Sequence, residues 1–364
     1  MYRAFRAVIK RHLLIQDGDS VLCGVSGGLD SMALVSLLVL LKKDIPFDLS
    51  LAHVNYGLRG KESDDQEKLV RDFAVKNNLK CFVTKGAGTT QSETRDFRYH
   101  YFAEVAGGVG ANKAAVAHHL EDQVETILGH LLRGSSLRGL GGMRDASALF
   151  VTPVKAGVQS RLDPGFRRDD VRLIRPLLGF SKESLKHYAS QNNIFYIDDS
   201  SNASPKYFRN RLRQELLPVI QNLKPQSFGK IIRLGEELRE LSGYLEGEAK
   251  EWLSTHLLAR GEPALAKVRG SVLTLHPDNP HAKKEGEAFW MPRPALVALP
   301  RLLRLEILRW AFFLWNGNAL GLKKDHLQRC DQICLRAKKE GSYPLSQGAL
   351  FLRQGDDLLL RKVS

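Results

Sequence analysis

Six residues near the amino end, Ser26, Gly27, Gly28, Leu29, Asp30 and Ser31, combine two glycines, two hydroxyls and one carboxylate. An apolar run, Val21–Val25, precedes them and a helical pattern, Ser31–Lys43, follows. A strand–loop–helix turn of this kind points unpaired backbone N–H groups at one spot, which suits a phosphate. Gly27 and Gly28 let the backbone approach closely and adopt positive φ. Ser26 and Ser31 add hydroxyl donors. The loop lacks the lysine that a classical P-loop uses to reach the outer phosphates. A plain helix start, with Asp30 as N-cap and the glycines as a turn, is the competing local reading.

Other chemistry-bearing residues lie further along. His118, Asp122 and Glu125 fall in "AHHLEDQVETILGHLLRGSSLRGLGGM", residues 117–143. Asp122 and Glu125 are three apart, on one face of a helix, where first-turn acids also suit the helix dipole. Arg98 lies in "RDFRYHYF", and Arg209, Arg211 and Arg213 in "YFRNRLRQELLP". Taken singly, Arg98 reads rather as a surface helix residue, and Arg209, Arg211 and Arg213 could be one solvated face.

The elements that position these residues follow from alternating patterns. Val21–Val25, Phe47–Val54, Lys80–Thr84 and Ala114–Ala117 read as strands. Ser31–Lys43, Glu62–Asn78, Gln91–Ala106 and Glu121–Leu132 read as the helices between them. Strands spaced by helices predict an α/β fold, a parallel doubly wound sheet. Ligands of such sheets bind at the carboxyl ends of the strands, where the loop after Val25, "HVNYGLRG" and "HHLEDQ" fall. Residues 157–172 break the pattern and read as a surface insertion between strands at Val151–Val154 and Leu173–Arg175. After Pro218 the character becomes mainly helical, over Ser227–Leu258, Ala295–Asn316 and Asp325–Lys339. Leu265–Pro294 reads as loop, and a terminal β-hairpin turns at Gly355–Asp356. Two domains result, 1–218 and 219–364.

Composition sets the context. The 364 residues carry 54 Lys+Arg against 40 Asp+Glu, net +14, which points to a polyanionic partner. The four cysteines form no C-x-x-C pair, which argues against a zinc or iron–sulfur site and fits a reducing compartment. The longest apolar run, Met32–Leu41, is too short to span a bilayer, and the basic start "MYRAFRAVIKRHLLI" reads as a surface helix.

The loop on its strand and helix resembles the PP-loop of the N-type ATP pyrophosphatases, which cut ATP between the α and β phosphates. That resemblance implies an adenine nucleotide alpha-hydrolase-like fold, ATP bound by Ser26 to Ser31, and Mg²⁺ held by Asp30, a hard cation on a hard oxygen. The whole 117–143 string resembles the signature of tRNA(Ile)-lysidine synthetases. "HVNYGLR", "RDFRYHYF", "RPLL" and "DDSSNASPKYFRNRLRQELLP" agree in order and spacing, over residues 19–218. The family ligates free L-lysine to carbon-2 of the wobble cytidine of CAU-anticodon isoleucine tRNA, through an adenylated cytidine, releasing AMP and pyrophosphate. Residue by residue the resemblance implies catalytic roles for Asp30, Arg98, His118, Asp122 and Arg209, and lysine binding by Asp122 and Glu125. It also implies a cytoplasmic enzyme and a homodimer. Tyr56 stands where the family often has a histidine, and Glu121 where it often has an aspartate.

For the tRNA, residues 204–233 carry seven Lys/Arg and one acid, with Tyr207 and Phe208 interleaved. Lys206, Arg211 and Arg213 are candidate RNA contacts, with Arg133 and Arg138 of the glycine-rich stretch. The target cytidine must leave its stack to react. Two other readings stay open: another PP-loop tRNA-modifying enzyme, and a non-catalytic tRNA-binding protein.

Overall fold

The structure is a computed structural model. It describes residues 1–57, 60–88, 90–149, 171–197, 208–256, 258–259, 262–263, 289–317, 322–338 and 340–362. They form two compact units, Met1–His130 with Gly142–Arg233, and Leu131–Gly141 with Leu234–Ser364.

The first unit begins α1 (Tyr2–Arg11), β1 (Ser20–Gly24), α2 (Leu29–Leu41), β2 (Asp48–Asn55), α3 (Lys61–Lys76) and β3 (Lys80–Lys85). It continues α4 (Gln91–Val109), β4 (Lys113–Ala115) and α5 (Leu120–Leu132); the short α6 (Leu137–Leu140) that follows belongs to the second unit. The chain then returns for β5 (Ala146–Ala148), β6 (Arg172–Ile174) and α7 (Lys182–Gln191). The sheet order is β3-β2-β1-β4-β6-β5, all parallel except the β5 edge. The order reverses at β1, so a crevice opens between the loops after β1 and β4.

Both faces of the sheet are covered. Leu34, Leu37, Leu38 and Leu41 of α2 are fully buried with Phe5 and Ile9 of α1, Val70 and Ala74 of α3, and Leu185 and Tyr188 of α7. Tyr99, Phe102, Ala103 and Ala106 of α4 join Leu22, Ala52 and Leu173 in a separate cluster. At the amino ends of the strands, buried Lys113 donates to Asp19 at 2.5 Å, tying β4 to the start of β1. After residue 207 come α8 (Phe208–Arg211), a π-helical turn (Leu212–Leu216), α9 (Leu217–Leu223) and α10 (Ser227–His256).

The second unit takes the rest of α10 and a second sheet. Its elements are β7 (Leu258–Ala259), β8 (Glu262–Pro263), β9 (Phe289–Pro292), α11 (Arg293–Val297), α12 (Arg301–Asn316) and α13 (Lys324–Leu335). They end in β10 (Glu340–Pro344), β11 (Ala349–Gln354) and β12 (Asp357–Lys362), ordered β10-β11-β12-β9-β7-β8. Leu253, Met291, Leu296, Ile307, Ile333 and Phe351 share its core. Buried Arg304 donates to both oxygens of buried Asp331, at 2.7 and 3.2 Å.

Several details differ from the sequence reading. The helix expected over Ala295–Asn316 is broken, because Pro300 ends α11 and begins α12. The end of the expected 265–294 loop is strand β9, paired with β12. The β5 edge strand and α7 went unread. The compact units divide between Arg233 and Leu234, and Leu217, Ile220, Phe228, Ile231 and Ile232 pack on Val124 of α5. The strand expected at Val151–Val154 lies outside the described residues, as does the insertion apart from Val171 and Arg172. No helix among the described residues is long and apolar enough to cross a membrane.

Candidate active site

The phosphate-type loop joins β1 to α2. Gly27 has φ +88°, and a Cβ there would come within 3.0 Å of Gln66 Cβ, so the tight turn requires glycine. The N-cap of α2 is Gly28, not Asp30, which lies in the first turn. Ser31 Oγ accepts from Ser26 N at 3.1 Å and donates to Gly28 O at 2.9 Å, and Gly28 N donates to Ser26 Oγ at 3.3 Å. Ile197 N donates to Gly27 O at 3.0 Å from the segment after α7. The side chain of Leu29 is buried, so only its backbone can serve a ligand.

A cavity of about 310 Å³ opens beside this loop, lined by Ser26, Asp30, Tyr56, Arg98, Phe102 and His118 among others. Gly24 forms part of its wall, where Phe102 leaves no room for a side chain. Tyr56 donates its hydroxyl to Thr94 O at 2.5 Å. Arg98 reaches the cavity from α4, whose start is fixed by a Thr90–Glu93 capping box.

Across the crevice, α5 supplies the acids. Asp122 Oδ2 accepts from His119 N at 3.0 Å, capping its own helix. Asp122 Oδ1 accepts from Arg209 and Arg213 at 2.8 and 2.9 Å. Glu125 accepts from the Nε of the same two arginines, at 2.7 and 2.5 Å. Two carboxylates and two guanidiniums thus close a balanced square. The Glu125 side chain is fully buried, whereas 46% of the Arg209 side chain is exposed.

The two neighbouring histidines are shifted in opposite directions. Burial pushes His118 down to about 3, helped by Arg175, Arg209 and Arg98 and opposed by Asp122, so it is neutral. His119 is also buried, which disfavours its charge, but Glu121, Asp122 and Asp30 outweigh that and raise it. Its Nδ1 lies 2.9 Å from Glu121 Oε2, and its Nε2 3.6 Å from Asp30 Oδ2 and 3.5 Å from Asp122 Oδ2. Carboxylates on both sides of the ring favour its charged form. Burial raises Asp30 against the opposing charges of His119, Lys182 and Arg213. Burial would raise Asp122 as well, yet His119, Arg209, His118 and Arg213 hold it well below the carboxylate range.

The structure therefore gathers Asp30, Arg98, His118, Asp122, Glu125 and Arg209 in the first unit. Arg213, expected on RNA, lies in the carboxylate square instead. Arg211 is exposed and pairs with Glu215 at 3.1 Å. Arg133 and Arg138 are exposed and belong to the second unit, and Lys206 lies outside the described residues. Sequence reasoning gave His119 no site role, although its i, i+3 spacing to Asp122 was visible.

Asp30 Oδ1, His53 Nε2 and His118 Nδ1 are buried without a hydrogen-bond partner. An orphaned carboxylate oxygen beside a phosphate loop fits a hard cation. Among the described residues no group of three or more His, Cys, Asp or Glu forms a metal cage. The donor set therefore suits an ion shared with phosphates and water.

The PP-loop domain profile matches residues 1–220, and the chain belongs to the PP-loop family. A U34-tRNA thiolase with its iron–sulfur cluster, from Methanococcus maripaludis, shares the fold: TM-score 0.52, 20% identity, 66% of this chain and 77% of that one. The tRNA(Ile)-lysidine synthase of Geobacter sulfurreducens is 30% identical over 98% of this chain and 67% of its own length. That of Geobacillus kaustophilus is 29% identical over 97% and 69%. That of Streptococcus gordonii is 36% identical over 65% of this chain and half of its own. Within the PP-loop family, the chain belongs to the tRNA(Ile)-lysidine synthases.

Proposed function

We infer that this chain is an ATP-dependent carbon–nitrogen ligase that attaches lysine to carbon-2 of the wobble cytidine of CAU-anticodon isoleucine tRNA. Family membership supports the reaction. The observation that carries the site is His119 Nε2, which stands 3.6 Å from Asp30 of the phosphate loop and 3.5 Å from Asp122 of the acidic helix. A phosphate-handling acid and an ammonium-type acid meet at one imidazole.

The geometry supports the following roles. The loop from Ser26 to Ser31 holds the ATP phosphates with backbone N–H groups and hydroxyls. Asp30 would hold Mg²⁺, which would supply Lewis-acid charge to the pyrophosphate. Arg98, in the cavity, faces the α-phosphate as the cytidine oxygen attacks it and pyrophosphate leaves. The lysine amine then attacks carbon-2, and the base oxygen departs with AMP. His118 is neutral and its buried Nδ1 has no partner, so it accepts a hydrogen bond from the amine. Arriving phosphate charge raises its basicity. Asp122 and Glu125 receive a lysine ammonium only when Arg209 and Arg213 turn away, and phosphate is the anion that draws them.

Lysine as nucleophile, Mg²⁺, a homodimer and a cytoplasmic setting are parts of the same proposal, as are catalysis by 1–218 and tRNA recognition by 219–364. The exposed cations Arg133, Arg138 and Arg211 and the net charge of +14 support RNA contact. The test is incubation with ATP, Mg²⁺, radiolabelled lysine and unmodified CAU-anticodon isoleucine tRNA, beside methionine tRNA with the same anticodon. Label enters the isoleucine tRNA alone, and Asp30→Ala abolishes it. ATP hydrolysis and tRNA binding without label would mean a different nucleophile.

A further inference from the structure

Tyr56 has no part in those steps, yet it lines the cavity together with Arg98. It directly follows β2, and its root is fixed. Gly86 N donates to Asn55 O at 2.7 Å, and Gly57 N donates to Asn55 Oδ1 at 2.8 Å. Asn55 Nδ2 donates to Asp64 Oδ1 and Glu67 Oε2 of α3, at 3.2 and 2.9 Å. The ring lies against Gly86, where a Cβ would stand 2.4 Å from Tyr56 Cδ1. It also meets Phe97 of α4 edge to face, with centroids 6.3 Å apart. The ring is thus held between the end of β3 and α4.

The hydroxyl ends on α4, where it donates to Thr94 O at 2.5 Å. Thr94 is one turn before Arg98, and helical geometry makes the same carbonyl the acceptor of Arg98 N. A carbonyl oxygen has two lone pairs and can take both. Thr94 N and Oγ1 in turn donate to the O of the N-cap Thr90, at 3.0 and 3.1 Å. Thr94 therefore links the helix start, Tyr56 and Arg98. The start of α4 packs shallowly: from Ser92 to Arg98 no residue is buried, and Tyr99 is the first that is. The capping box closes the first turn on itself, whereas Tyr56 joins that turn to the sheet.

We propose that Tyr56 is a positioning residue for Arg98, holding the first turn of α4 at the cavity through its hydroxyl on Thr94 O. This rests on the reading of Arg98 as the group that faces the α-phosphate. A guanidinium on a shallowly packed helix start stabilises developing charge best when it is held in place before the reaction. The phenol proton is committed to a backbone carbonyl, so Tyr56 serves as a tie rather than as an acid for the substrate.

Tyr56→Phe removes the hydroxyl and keeps the ring. Backbone amide hydrogen exchange is followed in the tRNA-free protein, and tRNA-dependent ATP–pyrophosphate exchange is titrated with ATP. The amides of residues 94–98 are expected to exchange about tenfold faster, while those of residues 102–106 keep native protection. Native protection there and in the rest of the unit shows that the variant is folded. The pyrophosphate exchange rate at saturating ATP falls about fivefold to tenfold, and half-saturating ATP moves by less than about twofold. Unchanged protection of residues 94–98, a native rate, or a loss confined to half-saturating ATP overturns the proposal.

Arg98→Ala separates this proposal from the reading beneath it. A native exchange rate in that variant refutes the phosphate role of Arg98 itself. Loss in Arg98→Ala with a native rate in Tyr56→Phe refutes the positioning role alone.

Discussion

Arg213 and Glu125, 88 residues apart, share a 2.5 Å hydrogen bond between guanidinium Nε and carboxylate Oε1. The same guanidinium reaches Asp122 at 2.9 Å. A basic residue that reads as RNA-facing thus occupies the acids expected to take lysine. Arg213→Gln removes one of two cations competing for that place. The expected outcome is lysine binding to the tRNA-free protein tightened by about tenfold, roughly 1.4 kcal/mol. Isothermal titration with lysine checks it, and unchanged affinity would place the lysine ammonium elsewhere.

His118 sets a pH dependence of stability. Its folded value is about 3 against an ordinary 6.5. Between those values the unfolded chain binds the extra proton, so stability rises with pH across the window and is lost as pH falls through it. The slope is about 1.4 kcal/mol per pH unit. Burial sustains the depression, with Arg175, Arg209 and Arg98 adding to it and Asp122 opposing it. Asp122 contributes separately, below its ordinary value of 3.8, because its own folded value is depressed. His118→Asn should flatten the denaturation midpoint between about pH 6 and pH 4, leaving the steeper loss below. Urea titrations across that range test this.

Gly24 and Phe102 form a packed pair in the cavity wall. A Cβ on Gly24 would lie 2.4 Å from Phe102 Cζ and 2.6 Å from Cε2. Gly24→Ala should cost about 1–3 kcal/mol through overpacking and weaken ATP binding by displacing the ring. Phe102→Leu in the same chain should recover most of both. A double-mutant cycle showing no coupling would sink the account.

In the second unit, Arg304 and Asp331 are 9% and 6% exposed and bonded to each other. Asp331→Ala leaves a buried guanidinium without its carboxylate, at a cost of about 3–5 kcal/mol. Replacing the pair by Met and Leu should restore most of that stability. Denaturation of the three proteins tests it.

The sheet was legible because β1, β2 and β4 are buried on both faces and read as apolar runs between turn signals. The phosphate loop was legible from six consecutive residues. The square of Asp122, Glu125, Arg209 and Arg213 was not, since its partners join over 84 to 91 residues. One clue was present: Arg209 and Arg213 are four apart and share a helix face, with Arg211 on the other. His119 received no site role because its place there depends on Asp30 standing opposite, which the crossing at β1 and β4 arranges. β5 has three residues, too few for an alternating pattern to register.

The borders of the first sheet have a consequence of their own. β3 begins and ends with lysine, and β5 is short and runs against its neighbour. Neither border, among the described residues, offers a long uncharged row of backbone groups for a second chain to copy. A protein that leaves polar atoms unmatched at one end of its sheet is exposed to clumping if its flanks are also sticky. The described flanks are blunted, which disfavours edge-to-edge pairing along the sides.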